Sequence, residues 1–210
     1  MHLLLIRHAE SEGNAQGRLQ GRKEYPLSEG GLVQAAALAE RLSAVPIAAI
    51  YASPIRRALD TAEAVGARLG LTVVTEPRVQ EYDFGDKLSG LTWQEIRDLQ
   101  PDVVTTLVSG RAEFPTYPGE EGREAFRLRV RAAVAEIAER HAADEAVAIV
   151  AHAGPVIVYL MEVLGRAYTR PIPFAIDNAS ITTVEFAANP TPFQPPAVVT
   201  GINDTCHLMP

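Results

Sequence analysis

Two histidines of this chain each follow a short apolar segment of the kind that forms a buried strand. His8 comes with Arg7 directly after residues 3–6, and His152 comes directly after residues 146–151. Ligands of sheets with helices on both faces bind beyond the carboxyl ends of the strands. The sequence therefore predicts that both imidazoles face one site.

The residue types at these strand ends suit a phosphate dianion. A third apolar segment, residues 47–51, leads into a turn that contains Arg57, so two guanidinium groups, those of Arg7 and Arg57, are available as anion donors. A neutral imidazole can attack phosphorus and form a phosphohistidine, and His8 is the candidate for this role. A second imidazole that a dianion keeps protonated would stabilise negative charge, which suits His152.

The leaving alkoxide of such a reaction must gain a proton. A negative neighbour favours the protonated form of a carboxyl group, so a carboxyl beside bound phosphate can act as an acid near neutral pH. Glu81 follows a predicted strand and is the candidate, with Asp83, Asp86 and Glu120 as rivals. Arginines and histidines supply the charge compensation in this scheme, so we expect no metal and no cofactor.

Strands that alternate with helices predict an α/β fold, a three-layer sandwich with a mainly parallel central sheet and helices on both faces. Predicted strands are residues 3–6, 47–51, 71–75, 146–151, 180–186 and 197–202. Predicted helices follow Ser28 and Ser53-Pro54, each as an N-terminal cap, and cover residues 122–141 and 156–164. Residues 83–121 do not show this alternation of strand and helix patterns, and they are predicted to form a small cap insertion over the site.

Length and composition limit the other possibilities. With 210 residues, 47% of them hydrophobic, the chain is predicted to form a single domain over residues 1–210. The net charge of -7 argues against nucleic acid or an anionic membrane as a partner, because both demand a basic surface. With one cysteine and no export signal, the chain is expected in the cytoplasm. A homodimer stays an open alternative.

Four segments in order along the chain resemble the signatures of the histidine phosphatase superfamily, in its phosphoglycerate mutase-like branch. The first is RHAESEGN at residues 7–14, followed by GRLQG at 17–21; the second is SPIRRALDTA at 53–62. The third is VQE at 79–81 with FG at 84–85, and the fourth is AH at 151–152. Spread over most of the chain, these matches are far more specific than a lone Arg-His pair.

The resemblance implies roles for residues of each segment. It implies that His8 is phosphorylated, that Arg7, Arg57 and His152 bind the phosphoryl group, and that Glu81 donates the proton. Asn14, Gln20 and Gly21 are placed in the substrate pocket by the same resemblance. Arg56 stays an alternative to Arg57. Two departures are Ala9 and Ala153, which stand where the family usually has glycine, and which fit only with a negative φ and enough room for the substrate.

The resemblance leaves three functions open. The preferred one is a metal-independent phosphatase that hydrolyses small phosphate esters. One alternative is a phosphoglycerate mutase that needs a bisphosphate primer, although the predicted cap is shorter than the insertions of such mutases. The other is a catalytically inactive module that binds a phosphorylated ligand. In the cap, Trp93, Phe114 and Tyr117 are expected to pack the insertion rather than line the pocket. Arg111 and Arg123 either reach a second acidic group of the substrate or are solvated.

Overall fold

The central feature of the fold is a six-stranded mixed sheet. A computed structural model describes residues 1–108, 116, 119–169, 172–188, 191 and 195–209. Within them the strands are β1 (His2–Arg7), β2 (Ile47–Ala52), β3 (Val73–Thr75), β4 (Ala146–Ala151), β5 (Ile181–Phe186) and β6 (Ala197–Asp204). Their order across the sheet is β3-β2-β4-β1-β5-β6.

Four neighbouring strands, β3, β2, β4 and β1, run parallel, while β5 is antiparallel to both β1 and β6. The register pairs Arg7 of β1 with Ala151 of β4, and Ala52 of β2 with Val150 of β4. The carboxyl ends of these three strands therefore lie side by side. This arrangement confirms the predicted mainly parallel sheet and brings the residues that follow each strand to one edge.

Helices cover both faces of the sheet. Within the described residues they are α1 (Glu12–Ala15), α2 (Glu29–Leu42), α3 (Arg56–Leu69), α4 (Trp93–Leu99), α5 (Pro101–Val108), α6 (Arg123–Glu139) and α7 (Ala153–Val163). Leu3 and Leu5 of β1 pack with residues of α6 and α7, whereas Leu4 and Ile6 pack with residues of α2 and α3. Because side chains alternate along a strand, an uninterrupted apolar strand buries both faces, and the three-layer prediction is confirmed.

The helix predictions are correct in kind and differ in detail. Ser28 caps α2 as predicted, its side chain accepting from the Gly31 N–H. The helical spacing predicts Leu32, Ala35, Ala39 and Leu42 on the buried face of this helix, but Leu32 is 61% exposed, and Leu38 is buried. The predicted cap at Ser53 is wrong. Helix α3 begins two residues after Pro54, with Ile55 at the N-cap position and no side-chain cap. The Ser53 hydroxyl accepts from the Ile55 N–H at 3.3 Å, before the helix begins, and lies 2.8 Å from Nε2 of His152.

The described part of the predicted cap insertion contains two short helices, α4 and α5. Thr92 caps α4, and its side chain and that of Glu95 each accept from the backbone N–H of the other residue. Residues 109–115, 117 and 118 of the insertion lie outside the described residues, and with them Arg111, Phe114 and Tyr117. No helix of the described chain is long and apolar enough to span a bilayer.

Candidate active site

A cavity of about 340 Å³ opens where β1 and β4 end. Its lining joins the ends of these strands to the segment after β3 and to the cap. Polar lining comes from Arg7, His8, Asn14, Arg18, Gln20, Arg57, Glu81 and Arg123. Apolar and aromatic lining comes from Leu19, Tyr82, Phe84, Leu88, Trp93, Ile96, Val103 and Tyr168. Residues from distant parts of the chain therefore meet in one pocket.

His8 is 3% exposed and has both ring nitrogens in contact with the protein. Its Nδ1 lies 2.7 Å from the carbonyl oxygen of Ala9, and its Nε2 accepts a hydrogen bond from Nε of Arg57 at 3.1 Å. A carbonyl oxygen can only accept, so Nδ1 carries the proton and Nε2 holds a lone pair. The ring is therefore fixed in the tautomer whose lone pair is on Nε2, where it accepts from the arginine.

The ring of His152 lies next to that of His8, with centroids 5.1 Å apart and planes at 62°. His152 is the N-cap residue of α7, and its Nε2 lies 2.8 Å from the hydroxyl oxygen of Ser53. Its Nδ1 is buried and has no hydrogen-bond partner among the described residues. His152 does not itself line the cavity, although Ala153 and Gly154, which follow it, do.

Both histidines are neutral in the structure without ligand. Burial lowers the pKa of His8 well below its usual range, and the positive charges of Arg57 and Arg7 lower it further. Burial lowers the pKa of His152 in the same direction, again with a contribution from Arg57. A neutral His8 suits a nucleophile, whereas the protonated His152 that the sequence predicts requires a bound anion.

Two arginines form the positive side of the site. Arg57 is 1% exposed and donates to the carbonyl oxygens of Lys23 and Gly21 at 2.9 and 2.8 Å. Burial lowers its pKa to about 10, which still leaves it charged at neutral pH. Arg7 donates through Nη1 to the carbonyl of Ile176 at 2.6 Å, while its buried Nε has no partner among the described residues. Arg56 is 68% exposed and pairs with an aspartate outside the cavity.

Glu81 lines the cavity, and its carboxylate is held by two backbone N–H groups. Tyr82 donates to Oε1 at 2.8 Å, and Gly154 donates to Oε2 at 3.2 Å. Among the described residues no other carboxylate lines the cavity. The rivals Asp83, Asp86 and Glu120 lie outside its lining, and Asp83 is instead near Arg22, 3.7 Å away.

The three residues assigned to the substrate pocket all line the cavity. Asn14 and Gln20 are joined through Ser11, whose hydroxyl oxygen lies 2.8 Å from Oδ1 of Asn14 and from Oε1 of Gln20. The backbone N–H of Ser11 also donates to Oδ1 of Asn14, so the amide NH₂ of Asn14 is the group turned away from this contact. Gly21 has a φ of +55° and presents its carbonyl to Arg57 rather than to the cavity.

Ala9 and Ala153 fit the backbone that the structure gives them. Neither has a positive φ, a conformation that the described non-glycine residues adopt only at Ala179 and Asn203. The N–H of Ala9 donates to the hydroxyl of Thr61 at 3.1 Å, and Ala153 forms the first turn of α7. The methyl groups in place of glycine therefore cause no backbone strain.

Several residues at the site lie outside the four sequence segments that resemble the family signatures, so those segments did not assign them to the site. Asn178 donates through its side chain to the carbonyl of His8 at 3.0 Å, and the N–H of Ala179, whose φ is +56°, donates to the same oxygen at 3.1 Å. Trp93 lines the cavity and is 51% exposed, so the expectation that it packs the insertion is wrong. Arg123 also lines the cavity, with its guanidinium 4.1 Å from the Tyr82 ring centroid and 3.7 Å from Glu120.

The titratable residues form no metal-binding cluster in the part of the chain that the structure describes. No group of three or more histidine, cysteine or carboxylate side chains there could hold an ion. Among the described residues, the site has the composition of an anion pocket, with four lining arginines (Arg7, Arg18, Arg57 and Arg123), two adjacent imidazoles and a single lining carboxylate.

Comparison with known proteins places this site in a family. Residues 3–194 match the model of the histidine phosphatase superfamily, branch 1, and the chain belongs to that superfamily. Phosphoserine phosphatase 1 of Hydrogenobacter thermophilus is 32% identical over 206 residues, which cover 98% of this chain and 93% of the relative. Glucosyl-3-phosphoglycerate phosphatase of Mycobacterium tuberculosis is 36% identical over 160 residues, covering 72% and 70% of the two chains.

Solved structures show the same fold. Bacillus stearothermophilus YhfR superposes with a TM-score of 0.85 at 29% identity, covering 99% of both chains. The mycobacterial glucosyl-3-phosphoglycerate phosphatase in complex with VO3 superposes with a TM-score of 0.80 at 30% identity, covering 96% of this chain and 98% of that one. A metal-independent phosphoserine phosphatase of Arabidopsis thaliana is 36% identical over 155 residues, covering 72% of this chain and 64% of the relative. Together these relatives confirm the prediction of a metal-independent phosphatase acting on phosphate monoesters over the mutase alternative.

Proposed function

We propose that this chain hydrolyses small phosphate monoesters through a phosphohistidine on Nε2 of His8. The observation that carries the proposal is the fixed tautomer: Nδ1 donates to the Ala9 carbonyl, so the lone pair is on Nε2, where it accepts from Nε of Arg57. Attack on phosphorus replaces this hydrogen bond and leaves the Nε–H of Arg57 free to donate to a phosphate oxygen. Burial keeps the ring unprotonated at neutral pH, as a nucleophile requires.

The phosphoryl group is held by positive charge that faces the nucleophile. Arg7 and Arg57 line the cavity, and the buried Nε of Arg7 has no protein partner in the described residues, so a phosphate oxygen can accept from it. The buried Nδ1 of His152 is a second such atom. When a dianion binds beside it, His152 takes up a proton, and its imidazolium stabilises the negative charge of the transition state. The amide NH₂ of Asn14 adds a neutral donor.

Both chemical steps balance with the groups present. In the first, the ester P–O bond breaks, the His8 Nε2–P bond forms, and the leaving alkoxide takes a proton from Glu81. In the second, Glu81 takes a proton from water, the resulting hydroxide attacks phosphorus, and the N–P bond breaks. Phosphate leaves, and His8 and the protonated Glu81 are restored. None of these steps requires a redox partner.

The test is to trap the phosphohistidine. The protein is incubated with a ³²P-labelled monoester in the presence of a chelator and quenched in alkali, where phosphohistidine is stable. Wild type should carry label that acid removes, and His8→Asn should carry none and lose at least about 10³-fold in turnover. His2→Asn is the matched control, because His2 is half-exposed and outside the cavity. Label on His8→Asn, or turnover that needs magnesium, would contradict the proposal.

We further propose that the leaving group has apolar surface. Apart from Arg18 and Arg123, the described lining beyond the phosphate end is aliphatic and aromatic, including Leu88, Trp93 and Ile96. Phosphoserine, which the names of several relatives carry, has an ammonium group that needs a carboxylate partner when it is buried. In the described lining the one carboxylate is Glu81, which the reaction already uses.

Benzyl phosphate and phosphoethanolamine test the leaving group, since both release an alkoxide and differ in apolar surface and charge. We expect kcat/KM at least about tenfold higher for benzyl phosphate, because burial of a phenyl ring contributes about 1.5–3 kcal/mol. Trp93→Ala should raise the KM for benzyl phosphate and leave the KM for phosphoethanolamine unchanged. Trp93→Phe should keep the KM for benzyl phosphate close to that of wild type. Equal or reversed kcat/KM values would contradict this assignment without affecting the role of His8.

A further inference from the structure

The side chain of Arg129, on α6, uses all five of its N–H donors on protein oxygens. Its Nη1 donates to the carbonyls of Arg78 and Gln80 at 2.6 and 2.8 Å, and its Nη2 donates to the carbonyl of Glu81 at 3.0 Å. Its Nε and Nη2 also donate to the two carboxylate oxygens of Glu121, at 3.2 and 2.8 Å. No donor of this guanidinium is left for a substrate.

These contacts surround the segment that leads to the catalytic carboxyl group proposed above. The side chain of Arg129 is 18% exposed and that of its counter-ion Glu121 is 14% exposed, so solvent screens the pair weakly. Arg22 adds a second cation, which pairs with Glu121 and donates to the Glu81 carbonyl at 3.4 Å. The carbonyl of Glu81 therefore accepts from two guanidinium groups, while its carboxylate accepts from the N–H groups of Tyr82 and Gly154.

We propose that Arg129 is a positioning residue that sets the direction of the Glu81 side chain. Arg129 does not line the cavity, so it cannot act on the substrate directly. It fixes the backbone on both sides of the Gln80–Glu81 peptide, and this determines where the carboxyl group points. This inference rests on the proposed role of Glu81 as the proton donor.

The same cluster ties this segment to the cap. Glu121 lies at the end of the insertion, two residues before α6 begins, and its N–H donates to the Asp83 carbonyl at 3.2 Å. Only arginine presents donors in a rigid planar fork that reaches three carbonyls and a carboxylate at once. A lysine at position 129 would keep the charge and lose most of these contacts. Arg129→Lys therefore separates the geometric role of this side chain from its charge.

Leaving groups of different basicity distinguish positioning of an acid from general stability. Benzyl phosphate releases an alkoxide that needs a proton, whereas 2,4-dinitrophenyl phosphate releases a stable phenolate that needs none. We compare kcat/KM, which reports the steps up to formation of the phosphohistidine. For Arg129→Lys we expect kcat/KM for benzyl phosphate to fall about 10- to 100-fold, and that for dinitrophenyl phosphate to fall less than about threefold. Glu81→Gln should show the same selectivity.

Two further variants complete the experiment. Arg127→Lys is the matched control, since Arg127 is on the same helix and, within the described chain, forms its ion pairs with Glu124 and Glu162 outside the cavity. It should change both kcat/KM values by less than about twofold. Glu121→Gln weakens the counter-ion of Arg129 and should show a smaller fall with the same selectivity, which keeps the inference testable if Arg129→Lys does not fold.

The outcomes separate this inference from the function on which it rests. Equal falls on both esters for Arg129→Lys and Glu121→Gln, with a selective fall for Glu81→Gln, would overturn the positioning role alone. A Glu81→Gln variant without selectivity would overturn the assignment of Glu81, and the positioning role with it. In the Glu81→Gln background, Arg129→Lys should add no further selectivity, and an additive effect would contradict the inference.

Discussion

The carboxylate of Glu81 lies against the backbone of Gly154, with Oε2 accepting from the Gly154 N–H at 3.2 Å. A Cβ built on Gly154 would lie 2.1 Å from Oε1 of the same carboxylate, far inside van der Waals contact. The φ of Gly154 is not positive, so its backbone accepts an L-residue. The absence of a side chain at this position is therefore needed above all for the approach of Glu81, and the ring of Phe126, 3.2 Å from the same Cβ, is a second and less severe close contact.

Gly154→Ala should displace the Glu81 carboxyl group while leaving the fold intact. We expect kcat/KM for benzyl phosphate to fall at least about tenfold, and that for dinitrophenyl phosphate to fall little, because only the alkoxide needs the proton. Gly30→Ala, in α2 and outside the cavity lining, adds the same methyl group with ordinary contacts and serves as the control. Steady-state kinetics on both esters test this. An unchanged rate on benzyl phosphate would show that Glu81 tolerates the displacement or is not the acid.

Adjacent arginines 56 and 57 provide a second matched pair. Arg57 is 1% exposed and contacts His8, whereas the side chain of Arg56 is 68% exposed and pairs with Asp60. Arg57→Gln should lower kcat/KM about 10²- to 10³-fold, the usual effect of losing one donor to a developing oxyanion, and Arg56→Gln should lower it less than about twofold. Chromogenic assays with circular dichroism as the folding control measure both. A larger effect at position 56 would reverse the assignment.

Stability should decrease as the pH falls below 6.5. His8 and His152 have folded-state pKa values well below their usual range because both are buried. Below pH 6.5 the unfolded chain binds protons that the folded chain does not, so each histidine lowers the free energy of unfolding by about 1.4 kcal/mol per pH unit until its folded pKa is reached. Urea unfolding between pH 7.5 and 5.5 measures this slope. His152→Asn should reduce the slope of the unfolding free energy with pH, and His2→Asn should not. A free energy of unfolding that does not change with pH in wild type would contradict the burial of neutral imidazoles.

Binding of a dianion should bring a proton onto the protein. Sulfate stays a dianion at neutral pH, so any proton taken up on its binding must go to a protein group. We expect an uptake of up to about one proton near pH 7, because the negative charge raises the pKa of His152, which burial lowers in the unliganded state. Calorimetry in buffers of different ionisation enthalpy measures the uptake. His152→Asn should abolish it, whereas uptake that persists in this variant would assign the proton elsewhere.

Much of the fold could be predicted from the sequence, because uninterrupted apolar strands and helical spacing are local patterns. The strand at residues 146–151 was predicted with its observed bounds, and the buried face of α6, with Phe126, Val130, Val134 and Ile137, follows from the helical period. The start of α3 was not predictable in this way. Ser53-Pro54 is a favourable helix start locally, yet the Ser53 hydroxyl contacts His152, a residue distant in the sequence.

The sequence by itself determined the chemistry of the site: two imidazoles, guanidinium groups and a carboxyl group, each placed after a strand or in a recognisable segment. Tertiary structure alone decided which neighbours reach the cavity, because arginines 56 and 57 are alike in sequence and differ only in the helix face they occupy. It also decided the tautomer of His8, the close approach of Gly154 to Glu81, and the contacts of Arg129. Each depends on atoms that chain folding brings together, and spacing along a sequence does not contain such distances.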